Sequence, residues 1–89
     1  MITYHLECVS SNNEVTTLLV TTAREEAFAA MSRLHAQARA EFRSIQKLPV
    51  EQLGRGVLGA WKHTLKRPSD KEPTTVTYRI RRFRGVVKG

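Results

Sequence analysis

Apolar and polar residues alternate from the start of this chain. Ile2, Tyr4, Leu6 and Cys8 fall on one side of the alternation, and Thr3, His5 and Glu7 fall on the other. A period of two predicts a half-buried strand. Ser10-Ser11-Asn12-Asn13 follows, a cluster whose side chains bond their own backbone and tolerate left-handed conformations, so it predicts a turn. Val15 to Thr21 is rich in Val, Thr and Leu and predicts a second strand. The short polar link between the two makes an antiparallel hairpin the natural reading.

The period then changes. Ala27, Ala30, Met31, Leu34, Ala38, Phe42 and Ile45 recur at helical intervals, with Arg24, Arg33, Gln37, Glu41 and Arg43 on the other faces. Thr22-Ala23-Arg24-Glu25 fits a capping box, which opens this helix at Thr22. Glu25 and Glu26 suit the positive end of its dipole. The helix is expected to stop before Pro49, because the residue preceding a proline disfavours helical geometry. Its small alanines would let it lie close to a sheet.

Pro49 suits the first position of a second helix. Val50, Leu53, Val57, Trp61 and Leu65 repeat at helical intervals behind it, and Gln52, Arg55, Lys62 and Lys66 line the other side. Gly54, Gly56 and Gly59 oppose this reading, at about 1 kcal/mol each against alanine. A rival reading ends the helix near Leu53, turns at Gly54-Arg55-Gly56 and runs a strand from Val57 to Lys66. Trp61 is a core anchor in both.

Residues 67–73 read as a polar loop bracketed by prolines. Thr74 to Arg84 then alternates again, with Val76, Tyr78 and Ile80 facing one way and Thr77, Arg79 and Arg81 the other. The alternation slips at Arg81-Arg82, where a bulge would redirect Phe83. Residues 85–89 read as a fraying end. The expected fold is α+β over a single domain, residues 1–89. A three-stranded antiparallel sheet, made of the N-terminal hairpin and the arginine strand, packs on one long helix and a second helix. The order is β-β-α-α-β, with β-β-α-β-β as the alternative. A chain of 89 residues buries a modest core, so a homodimer is a natural expectation.

Charge sharpens this picture by where it falls. Residues 1–23 carry only Glu7 and Glu14, residues 24–53 hold five basic against four acidic side chains, and residues 54–89 hold ten basic against two acidic. The chain's +7 is therefore concentrated in its last third. Such asymmetry points to a polyanionic partner, either nucleic acid (DNA or RNA) or an acidic protein surface. Guanidinium groups bind phosphate through paired hydrogen bonds as well as charge. Arg79, Arg81, Arg82 and Arg84 are the leading contacts, helped by Lys62, Lys66, Arg67 and Arg55. Tyr78 and Phe83 could stack on bases where exposed. A competing reading treats the arginines as charges that keep an edge strand from aggregating.

Candidate chemistry is sparse. Gly54-Arg55-Gly56-Val57-Leu58-Gly59 matches G-x-G-x-x-G, but no strand precedes it and no full parallel unit fits. A hinge, or a spot where another backbone approaches, is the plainer expectation, and no cofactor is implied. His5, His35 and His63 lie on three elements without partners at metal-ligand spacing, and His35 is expected on the surface of the first helix. Cys8 is the one cysteine, expected to be a buried inert thiol. No basic start followed by an apolar run opens the chain, and no stretch is long enough to span a membrane, so a cytoplasmic protein is expected.

Three functions follow as expectations. The first is a non-enzymatic regulatory module that binds nucleic acid through the arginine strand. The second is a protein–protein inhibitor or adaptor of the bacteriophage accessory kind, as anti-CRISPR and host-takeover inhibitors are, although no motif here carries a family resemblance. The third is a metal-independent ribonuclease-like toxin, with His63, Tyr78 and Arg79 cast in its roles.

Overall fold

The computed structural model describes residues 1–41, 44–65 and 71–84. It is an α+β fold, a five-stranded antiparallel sheet with one helix on one face. The strands are β1 (Ile2–Val9), β2 (Val15–Thr21), β3 (Ser44–Lys47), β4 (Val57–Leu65) and β5 (Thr74–Arg84), and the helix α1 is Arg24–Ala40. Their order across the sheet is β2-β1-β5-β4-β3.

The hairpin forms as the alternation predicts. Asn13 takes a left-handed φ of 66°, which asparagine tolerates. Ser10 closes the turn: its N–H donates to the Glu14 carbonyl at 2.9 Å, and its Oγ accepts from the Glu14 N–H at 3.2 Å.

Helix α1 starts later than its capping box suggests and ends earlier than its apolar stripe does. Its N-cap is Ala23, with no side-chain hydrogen bond to the cap, so the box at Thr22 does not form. Thr21 serves instead. Its Oγ1 accepts from the Ala23 N–H at 3.0 Å and donates to the Glu26 carboxylate. The C-cap is Glu41, and Phe42 and Arg43 lie outside the described residues. Ile45, read as part of the helical stripe, is on strand β3, paired with His63.

The expected second helix is absent from the described residues. Val50–Gln52 make a single 3-10 turn, and the chain then enters strand β4 at Val57. Two of the three glycines that weighed against the helix explain why. Gly56 has φ +79°, and a Cβ there would stand 3.2 Å from the Arg82 carbonyl oxygen. At Gly59 a Cβ would stand 2.6 Å from the Trp61 ring. Both positions need the missing side chain, one for the turn and one for the indole that lies over it. The G-x-G-x-x-G match is thus a turn where two backbones approach, sealed by the Arg82 N–H donating to the Gly56 carbonyl at 2.8 Å. The rival β-β-α-β-β order recovers β4 but not β3.

The arginine strand is the middle of the sheet. β5 lies between β1 and β4 and pairs with β1 without interruption from Ile2↔Arg84 to Val9↔Thr77. No bulge occurs at Arg81-Arg82; the irregularity is in β4, between Val57 and Gly59. The edge-protection reading of these arginines therefore fails, because the edges are β2 and β3.

Directly opposed residues in an antiparallel pair share a face. Leu6 and Ile80 oppose one another and are buried under Ala27 and Met31 of α1. Tyr4, Leu19, Phe28, Leu34, Leu58, Trp61 and Tyr78 surround them. Trp61 meets Phe28 edge-on at 6.4 Å and His35 at 5.4 Å. His35 is thus half-buried against β4 rather than on the helix surface. His63 is buried to 2% exposure beside it. Cys8 is half-buried on this same face. Among the described residues no helix is long and apolar enough to cross a membrane.

Candidate functional site

The face of the sheet opposite α1 carries Thr3, His5 and Glu7 of β1, and Thr77, Arg79, Arg81 and Phe83 of β5, with Ala60 and Lys62 of β4 beside them. It has the most concentrated polar chemistry in the described structure. Its centre is Glu7, which is only 5% exposed. Arg79 stands directly opposite Glu7 across the ladder, and its Nε donates to Glu7 Oε1 at 2.8 Å. Arg81 is opposite His5, and its guanidinium reaches the same oxygen at 3.5 Å. One carboxylate thus anchors two arginines whose side chains remain 26% and 33% exposed.

Two cations on one anion leave a net positive centre. The shared carboxylate also fixes the guanidinium planes, reducing the side-chain entropy a ligand would otherwise have to remove. Beside this centre is a stack. The Arg81 guanidinium sits over the Phe83 ring at 4.6 Å, and the His5 ring lies 4.2 Å from Phe83. These cation–π and ring contacts hold Phe83 half-buried on the open face. Plain alternation puts it there, without the bulge expected from the sequence.

The remaining sequence-derived candidates divide. Lys62 projects from the same open face, opposite Thr77, and is exposed. Arg82 and Arg84 oppose Tyr4 and Ile2, so they alternate onto the helix-covered face, where both are exposed. Arg55 is exposed on the turn before β4, next to the Gly56 contact with Arg82. Lys66 and Arg67 lie outside the described residues. Tyr78 is on the covered face against His63, with ring centroids 4.7 Å apart. Arg79 is on the other side of the sheet, so His63, Tyr78 and Arg79 are not gathered at one accessible spot.

Two contributors escaped the sequence reading. His5 and Glu7 were assigned to the correct face, but nothing in the chain indicated that β5 would lie beside β1. The two positions of the 72-residue separation between Glu7 and Arg79 become neighbours only through the sheet order.

A second polar region lies on the covered side, where His35, Arg39, Ile45, Lys47 and Trp61 line a shallow pocket of about 330 Å³. Burial, followed by the positive charge of Arg39, lowers the His35 imidazole below its usual value of 6.5. Comparison of the chain with protein-family models, with curated proteins and with solved structures finds no match.

Proposed function

We propose that this protein is a non-enzymatic nucleic-acid-binding module whose open sheet face takes a single strand. The observation that carries the reading is the Glu7-anchored pair Arg79 and Arg81 standing beside the His5–Phe83–Arg81 stack on an uncovered sheet. Single strands are held by a positive track for phosphates and by aromatic surfaces for bases, and this face offers both. Lys62 extends the positive track by one strand, toward β3. Among the described residues no layer covers this side, which leaves the sheet free to receive an extended ligand.

The role of Glu7 follows from the same geometry. It neutralises enough charge for the arginines to sit at the middle of a sheet, and it holds them ready for phosphate. Binding of this kind releases counterions, so affinity falls steeply with salt. Fluorescence anisotropy of a labelled single-stranded oligonucleotide, titrated at several salt concentrations, tests the reading. The expected log–log slope is roughly −0.7 for each phosphate contacted, with about three contacts, on the order of one each for Arg79, Arg81 and Lys62. An oligonucleotide left unbound even at low salt would retire the nucleic-acid reading.

A further inference from the structure

Strand β2 forms one edge of the sheet, and it is an unusual edge. Its seven residues, Val15–Thr21, include no charged side chain and no proline, two of the devices that protect an edge from pairing. Val15, Leu18 and Val20 are half-exposed, three of the exposed large hydrophobic residues of the molecule. Beside Leu18, on the helix side, runs an apolar groove of about 290 Å³ lined by Leu6, Leu18, Leu19, Ala30 and Leu34, with Arg33 and Gln37 on its rim. The opposite edge, β3, is short and carries Lys47 before Pro49.

We propose that β2 pairs antiparallel with β2 of a second copy, joining two sheets into one of ten strands. Charge favours a second copy at this edge. The chain is +7 as a whole, so copies repel one another wherever basic residues meet, whereas residues 1–23 contain no lysine or arginine.

The bulge in β2 carries the argument further. Thr16 and Thr17 oppose Cys8 and Glu7, while Leu19, Val20 and Thr21 oppose Leu6, His5 and Tyr4, with the register shifting between Leu6 and Glu7. Thr17 and Val20 therefore lie on the open face, and Thr16, Leu19 and Thr21 on the helix face. Leu18 is the extra residue, and it lines the helix-side groove together with Leu19. A regular partner strand would be thrown out of phase here, since a shift of one residue moves every side chain to the other face. A second copy brings a matching bulge. With the two-fold axis between Leu18 and Leu19, Leu18 meets Leu19 of the second copy, Thr17 meets its Val20, and Thr16 meets its Thr21. Every pair then shares a face, and the two apolar grooves adjoin across the axis.

An axis perpendicular to the sheet keeps both helices on one side and both open faces on the other. The two β5 strands would stand five strand spacings apart, about 24 Å. That consequence, a doubled nucleic-acid platform, rests on the function proposed above; the dimer itself does not.

The test uses the protein without nucleic acid. Light scattering across a dilution series should give twice the 10.1 kDa chain mass at the concentrated end. Val20→Lys should return the single-chain mass with an unchanged circular dichroism spectrum and a melting temperature that no longer depends on protein concentration. Thr17→Cys/Val20→Cys should cross-link into a covalent dimer under a mild thiol oxidant, while neither single cysteine variant does. A wild-type chain that keeps the single-chain mass throughout overturns the proposal, and a foreign strand as the true occupant of this edge would give that result. So would a dimer that Val20→Lys leaves intact, or single-cysteine variants that cross-link as readily as the double variant.

Discussion

Glu7 lies beneath two guanidinium groups in the middle of the sheet, and its substitution should be costly in a particular way. A buried charge that loses its partner remains desolvated, which is worse than never having the pair. Arg79→Gln leaves Glu7 only the longer 3.5 Å contact with Arg81 and should lower stability by about 1–3 kcal/mol. Glu7→Gln/Arg79→Gln should recover much of the loss, because two amides can bond across the same pair of positions. Urea denaturation of both variants beside the wild type checks this; equal stability of Arg79→Gln and wild type would remove Glu7 as the anchor. Gly59 is the second revealing residue. An added Cβ 2.6 Å from the Trp61 ring must displace the indole, so Gly59→Ala should cost about 1–3 kcal/mol and shift the tryptophan emission. An unchanged spectrum with wild-type stability would mean that the indole does not lie over Gly59.

At the scale of elements, the hairpin and the helix were legible because alternation and helical spacing are local signals. Strand β3 was not, since Ile45 falls in phase with the helical stripe of Leu34 and Ala38 and only tertiary pairing with His63 draws it into the sheet. Strand β4 was ambiguous because its apolar residues fit both periods, and Gly56 and Gly59 decided it for contacts invisible in a linear chain. The arginine face was legible at Arg79 and Arg81 but not their anchor, as sheet order sets that partnership. The packing of α1 on β4 has its own consequence. His35 faces Trp61 and His63 from β4, with Arg39 on its own helix and Lys47 lining the adjoining pocket. Its pKa is lower in the folded chain than in the unfolded one, where it is near 6.5, so below that value the unfolded state binds more protons. Its contribution to stability is therefore full above pH 6.5 and is lost as pH falls toward the lowered folded value. Melting temperatures followed from neutral to mildly acidic pH should fall, and His35→Phe should flatten that fall. An equally steep decline in the variant would assign the acid sensitivity to other groups.

Among the described residues, one face of the sheet is closed by a helix and the other is open, and the proposed function belongs to the open one. The chain's net charge alone would draw it to any polyanion, so weak binding by itself is poor evidence for this account. Charge-matched variants separate face from charge. Arg81→Gln/Lys62→Gln removes two positive charges from the open face while leaving Arg79 on Glu7. Arg39→Gln/Lys47→Gln removes two from the helix and from β3. Anisotropy titrations of both against one labelled single-stranded oligonucleotide, over a range of salt, are the most direct measurement. The account predicts that the open-face variant loses affinity and that its salt slope shrinks by about 1.4 units for two lost phosphate contacts, while the other variant binds close to wild type. Equal losses in the two variants, or a greater loss in the Arg39 and Lys47 variant, would contradict it.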